Sequence, residues 1–131
     1  MDRIDRIKAK QLLHEDLTDK VLGACFEVAR ELGSGFLESV YERALIIAMR
    51  HKGLHAKAQA PLTVKFRGVI VGEFFADILV ENKLIIELKS VSNIRPEHQA
   101  QIINYHKATD IEVGLLVNFG NPRLEYRRLH R

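Results

Sequence analysis

A chain of 131 residues, 47% hydrophobic and 28% charged, has the length and balance of one domain able to bury a real core. Its apolar stretches, such as Ala44 to Met49 and Ile78 to Val80, fall far short of the roughly 20 residues of a membrane span. No disorder is expected, and no membrane partner. The opening residues, Met1-Asp2-Arg3-Ile4-Asp5-Arg6, lack the apolar core of a secretory signal, so a cytoplasmic address is expected. The lone cysteine, Cys25, lies between Ala24 and Phe26 in a helical pattern and reads as a buried, inert thiol.

The net charge of +3 is modest, yet its distribution is uneven. Arg43, Arg50, Lys52, Lys57, Lys65 and Arg67 follow one another without an intervening acid, and Arg123, Arg127, Arg128 and Arg131 gather at the other end. Such clusters suit a polyanionic partner, or they are an ordinary solvated surface. The acids gather instead at Glu73, Asp77, Glu81 and Glu87.

Neither repeats nor linkers divide the chain, which predicts a single domain over 1–131 with residues 1–13 as a loosely attached segment. From His14 to Leu32, apolar residues at Leu17, Val21, Ala24, Cys25, Val28 and Leu32 recur at helical spacing until Gly33-Ser34-Gly35 ends the pattern. A second helix is predicted from Leu37 to Lys52, apolar over most of its circumference and stopped by Gly53. The period then becomes alternating. Leu62, Val64 and Phe66 line one face of a strand that breaks at Arg67-Gly68, a hairpin turn. The next strand runs from Val69 to Val80, with Gly72 marking a bend or bulge. Leu84 to Lys89 is a third strand. Pro96 opens a helix that runs to Ala108, Val113 to Asn118 is a fourth strand, and Leu124 to Leu129 a short fifth. This order predicts an α/β fold of the α+β kind, a mixed sheet flanked by helices.

Alternation places Glu73, Phe75, Asp77 and Leu79 on one face of the second strand and the wholly apolar Phe74, Ala76, Ile78 and Val80 on the other. In the third strand Ile85, Glu87 and Lys89 share a face opposite Leu84, Ile86 and Leu88. A loop at Glu81-Asn82-Lys83, with Asn82 or Lys83 left-handed, lets the apolar rows coincide by pairing Val80 with Leu84, Ile78 with Ile86 and Ala76 with Leu88. Asp77 then lies opposite Glu87. Facing carboxylates repel unless a proton or cation intervenes, and hard divalent ions take oxygen ligands. Lys89, pointing to the same side, is able to donate to a phosphate oxygen or steady an attacking water. The alternative is a surface cluster in which Lys89 neutralises the two acids.

Gly35-Phe36-Leu37-Glu38-Ser39-Val40-Tyr41 resembles the signature of the bacterial and archaeal GxxExxY proteins. Gly72 to Asp77 with Glu87-Leu88-Lys89, then His98, Gln101, Tyr105 and Leu115-Leu116-Val117-Asn118-Phe119-Gly120, also resemble its pattern, so the likeness spans His14 to Gly120. That family is grouped by resemblance with the PD-(D/E)XK nucleases. The resemblance implies a restriction-endonuclease-like core and a site that uses Mg²⁺ or Mn²⁺. It implies Asp77 and Glu87 as metal ligands, the backbone carbonyl of Leu88 as a third, and Lys89 assisting the attacking water. Glu38 takes the helical acidic position, or is a first-turn acid favoured by the helix dipole. Gln101 and Tyr105 resemble auxiliary residues of the group, and His98 lies on the same helical stripe. Ala76 stands where the group's name has proline, a position that supplies no ligand. The implied function is phosphodiester hydrolysis in nucleic acid, with DNA assigned by analogy. A non-catalytic nucleic-acid- or protein-binding module is the alternative, and a homodimer is one way for so small a chain to grip a duplex.

Overall fold

A computed structural model describes residues 2–130, the side chains of residues 9–12 excepted. Along the chain run α1 (Arg3–Leu12), α2 (Glu15–Leu32), α3 (Glu38–His51), β1 (Ala56–Phe66), β2 (Val69–Val80) and β3 (Leu84–Lys89), followed by α4 (Pro96–Ala108), β4 (Val113–Asn118) and β5 (Glu125–His130). The segment expected to be loose contains α1, whose residues from Arg3 to Lys8 are exposed. Arg131 lies outside the described residues. No helix among the described residues is long and apolar enough to cross a membrane.

The strands form one sheet in the order β1-β2-β3-β4-β5, with β3 and β4 parallel and the other neighbours antiparallel. A parallel pair needs a crossover, and α4 supplies it between β3 and β4. The larger core joins α2 and α3 to one sheet face: Val21, Cys25, Tyr41, Leu45 and Met49 meet Ile78, Ile86, Leu88, Leu115 and Val117. Burial pushes the Cys25 thiol up to about 12, which keeps it protonated and inert. On the other face α4 lies close over β4. A Cβ built on Gly114 would come within 2.5 Å of Ile102 Cγ2, so glycine is what permits this approach.

The hairpin turn falls at Arg67 and Gly68, both with positive φ (50° and 80°), as a tight two-residue connection requires. The bulge falls beside Gly72: Val64 pairs with Gly72 and Lys65 with Ile70, leaving Val71 as the extra residue. β2 and β3 take the expected register for three pairs, Val80–Leu84, Leu79–Ile85 and Ile78–Ile86. The loop between them has its left-handed residues at Glu81 and Asn82 (φ 54° and 55°), so the expectation of Asn82 or Lys83 is met at Asn82, with Glu81 left-handed as well. Glu81 can hold that conformation because its backbone N–H donates to the His55 carbonyl while its carboxylate accepts the His55 N–H.

The expected Ala76–Leu88 pair does not form, because β2 leaves β3 at Asp77. Across from Asp77, Gln59 of β1 is left-handed (φ 50°), and neither residue enters the β1–β2 register, which resumes at Ala60–Ala76. The apolar row of β2 is divided at this point. Ile78 and Val80 pack in the larger core, whereas Ala76 and Phe74 join Leu62, Ile85 and Tyr105 in a smaller core beneath α4. Asp77 therefore sits where the strand changes layers.

The seating of α4 is testable. Gly114→Val forces a branched side chain against Ile102 and should cost about 1–3 kcal/mol in chemical denaturation. An unchanged midpoint would mean that α4 does not lie so close to β4.

Candidate active site

Where β2 and β3 part, two carboxylates take over the bonding that the ladder gives up. Asp77 Oδ2 accepts the Leu88 N–H at 2.7 Å, and Glu87 Oε1 accepts the Asp77 N–H at 3.3 Å. Each acid thus caps a backbone amide of the neighbouring strand, which would otherwise be a buried orphan donor. The bonding places both groups on the α4 side of the sheet. Glu87 is only 2% exposed, and burial, with the Asp77 charge adding to it, pushes its carboxyl up to about 8. The nearby Lys89 ammonium acts in the opposite direction. A residue's N–H and C=O point to the same side of a strand, so the Leu88 carbonyl also opens toward the gap beside Asp77.

The roof of the site comes from α4. Gln101 and Tyr105, one turn apart, are joined by a 2.7 Å hydrogen bond from Gln101 Nε2 to Tyr105 Oη. The Tyr105 ring stacks on Phe74 with centroids 4.6 Å apart and planes 10° from parallel. Burial and the Glu87 charge push the phenol upward, so the hydroxyl keeps its proton. The remaining position on that stripe, His98, has another use: its Nδ1 accepts the Arg95 N–H at 3.0 Å and fixes the start of α4.

Lys89 is half-buried at the end of β3, and the segment after it is tightly held. Fully buried Asn118 bonds Val91 through both side-chain atoms, accepts the Gly120 N–H, and donates to Glu125. Glu125 accepts the Ile94 N–H as well; the Asn118 hydrogen bond is the main reason its carboxyl lies below the usual range. Gly120 must be glycine, because a Cβ there would fall 2.0 Å from the Val91 carbonyl oxygen. These contacts fix the path from Lys89 to α4.

The Gly35-to-Tyr41 motif serves in part as architecture. Buried Tyr41 donates to the Gly33 carbonyl at 2.7 Å, accepts the Phe36 N–H at 3.2 Å, and stacks on Phe119 at 4.4 Å. Ser90 donates to the Phe36 carbonyl at 2.9 Å, which ties the entry to α3 against the end of β3. Glu38 is the first residue of α3, exposed and placed favourably for the helix dipole. It takes no part in the hydrogen bonds of the carboxylate pair. The groove beside Tyr105 leaves no local signal in the sequence, because its walls come from segments far apart in the chain.

A mixed sheet with helices on both faces, carrying an Asp/Glu pair of which Glu87 is buried and a lysine two residues on, is an α+β fold of restriction-endonuclease-like architecture. The match to the PD-(D/E)XK nuclease superfamily covers residues 15–129, and the chain belongs to that superfamily. Its fold is also similar to that in the crystal structure of SSO0001, with a TM-score of 0.56 and 15% sequence identity over 97% of this chain. This chain spans 61% of that one, and a likeness at this identity speaks for the fold alone. Comparison with curated proteins gives no match.

Buried Glu87 makes stability depend on pH. In the folded, metal-free protein the Glu87 carboxyl binds its proton up to about pH 8, against 4.5 for an ordinary glutamate, so stability should fall as pH rises through that window. Glu87→Gln keeps an oxygen for the Asp77 amide and removes the charge. It should flatten the pH dependence and stabilise the metal-free protein above that window by on the order of a few kcal/mol. Melting temperatures of both proteins across the window check this, and parallel curves would count against it.

Proposed function

We propose that this chain is a nuclease that hydrolyses phosphodiester bonds in nucleic acid, with Asp77 and Glu87 holding Mg²⁺ or Mn²⁺ and Lys89 acting beside them. The observation that carries the reading is the fork itself, where buried Glu87 and half-buried Asp77 meet with a lysine close by. The donors suit a hard dication. Each carboxylate gives an oxygen to a backbone amide, Glu87 also interacts with the Asp77 and Tyr105 side chains, and the Leu88 carbonyl opens toward the same gap. Among the described residues no group of three His, Cys, Asp or Glu side chains forms a metal cage. Mg²⁺ does not require one, since one or two carboxylates, with water and substrate phosphate, commonly complete its shell.

When bound, the cation supplies charge neutralisation at the scissile phosphate and lowers the pKa of a water. Lys89 orients the attacking water or donates to a phosphoryl oxygen as charge develops there. Gln101 and Tyr105 form a hydrogen-bonded wall that positions the phosphate, and Glu38 stands in support at the start of α3. Arg43, Arg50, Lys57 and Lys65 are exposed and available to backbone phosphates, while Lys52 is partly engaged with Glu27 at 2.8 Å. DNA is the substrate by analogy with the superfamily, and a cytoplasmic setting goes with this reading.

Titration calorimetry with Mg²⁺ or Mn²⁺ should show uptake by the native protein and none by Glu87→Ala. Asp77→Ala and Lys89→Ala should each lower cleavage by on the order of 10²-fold or more while nucleic-acid binding survives. That binding should weaken steeply with added salt. Cleavage that persists in both variants would sink the assignment.

A second reading, a protein-binding role through which the chain pairs with a second copy, is favoured by one observation. Phe66, Val69, Ile70, Val71 and Phe75 are each more than half exposed on the β1–β2 hairpin. Sedimentation velocity should then report a dimer that Ile70→Asp dissociates; a monomer at all concentrations removes the reading.

A further inference from the structure

On the α4 side of the sheet, with Gln101 and Tyr105 in its lining, a groove of about 800 Å³ opens between α4 and the β1–β2 hairpin, and Tyr105 also neighbours Glu87. Thr63, Val64 and Lys65 of β1 and Phe74 of β2 form one wall; Asn104 and Lys107 of α4 extend the other. From this combination we infer that the groove receives an unstacked nucleotide of single-stranded nucleic acid next to the scissile phosphate. The inference rests on the nuclease reading of the fork for the position of that phosphate, and on the groove alone for the strand.

The size and chemistry of the walls select the occupant. The volume is that of a pocket for a small ligand or a splayed-out nucleotide. The Phe74 ring, fixed by its stack on Tyr105, borders the groove and offers a flat apolar surface. A base supplies a π-face that matches it. A duplex presents phosphates outward and keeps its base faces stacked inside, so it would leave this ring and the Asn104 amide without partners. Asn104 is exposed on α4, and its amide both donates and accepts, which suits the edge of any base. The charges agree with this direction. Lys65 and Lys107 stand exposed on opposite walls, where they can pair with phosphates flanking the seated base, while the acids lie beyond Tyr105. Lysines and an aromatic ring beside a hydrolytic centre form a platform for a single strand with little sequence preference.

The test uses the full chain carrying Asp77→Asn, so that binding is read without cleavage. Fluorescence anisotropy would follow a labelled mixed-sequence strand of about 12 nucleotides, as DNA, as RNA, and as DNA annealed to its complement. The single strand should bind about tenfold tighter than the duplex. Asn104→Ala and Lys107→Glu, both exposed changes on a helix surface, should each weaken single-strand binding about five- to tenfold and leave the circular dichroism spectrum unchanged. Equal binding of DNA and RNA would assign recognition to base and phosphate, and a preference for either would add the sugar; both outcomes support the groove. Duplex binding as tight as single-strand binding, or groove variants with native affinity, would overturn it. Failure of the two readings can be told apart. Metal-dependent cleavage by the native chain with silent groove variants removes the groove and leaves the nuclease. Groove variants that weaken binding to a chain that never cleaves remove the nuclease and leave the strand site.

Discussion

The mutual capping of Asp77 and Glu87 at the parting of β2 and β3 is the constraint around which this molecule is arranged. Two strands that separate inside a protein leave amides without ladder partners, and here the partners are the carboxylates themselves. The solution satisfies the backbone and creates an electrostatic problem, because one of the two acids is almost wholly buried. A proton on Glu87 resolves it in one way and a dication in another. Stability alone would favour an apolar pair at this position, so retaining two acids argues for a function that needs them.

The fork in turn depends on features at a distance. Gln59, left-handed in the middle of an edge strand, lets β1 and β2 change layers together and turns β2 away from β3. A non-glycine residue in that conformation is uncommon, and such strain gathers near functional sites. On the same side of the sheet as the acids, Gly114 admits α4 close to β4 and so brings Gln101 and Tyr105 over them. Asn118 and Gly120 hold the loop after Lys89, and Tyr41 with Ser90 binds the entry of α3 to that same strand end. Glu38, Lys89 and the carboxylates thus belong to three segments, α3, β3 and β2, joined to one another by hydrogen bonds.

Much of this was legible in the residues. Alternation in 69–80 and 84–89, with a three-residue loop between them, was enough to set the register of the first three β2–β3 pairs and to put Asp77 and Glu87 on one side. Helix periods and the glycines at 33, 35 and 53 located α2 and α3. Local pattern could not reveal where pairing stops. Continued alternation predicts Ala76 against Leu88, while the bend at Gln59 and Asp77, a tertiary event, sends Ala76 and Phe74 to the opposite core. Glu81 was missed as a left-handed residue because its conformation is held by His55, twenty-six positions away. The carboxylate pair was therefore readable as a pair, and its burial was not.

Tyr105 connects the two halves of the site. Its hydroxyl accepts from Gln101, so its own proton must be directed elsewhere, and the neighbouring charge that most affects it is Glu87. Its ring meanwhile fixes Phe74 at the border of the groove. One side chain therefore touches both the region where charge is concentrated and the surface where a base would lie. A change in charge at Glu87, whether by proton loss or by a cation, alters the electrostatic environment of the Tyr105 hydroxyl without requiring the stacked ring to move. The aromatic stack can thus keep its place while the electrostatics beneath it change, which is what a site must do if it grips a strand before and after the bond is cut.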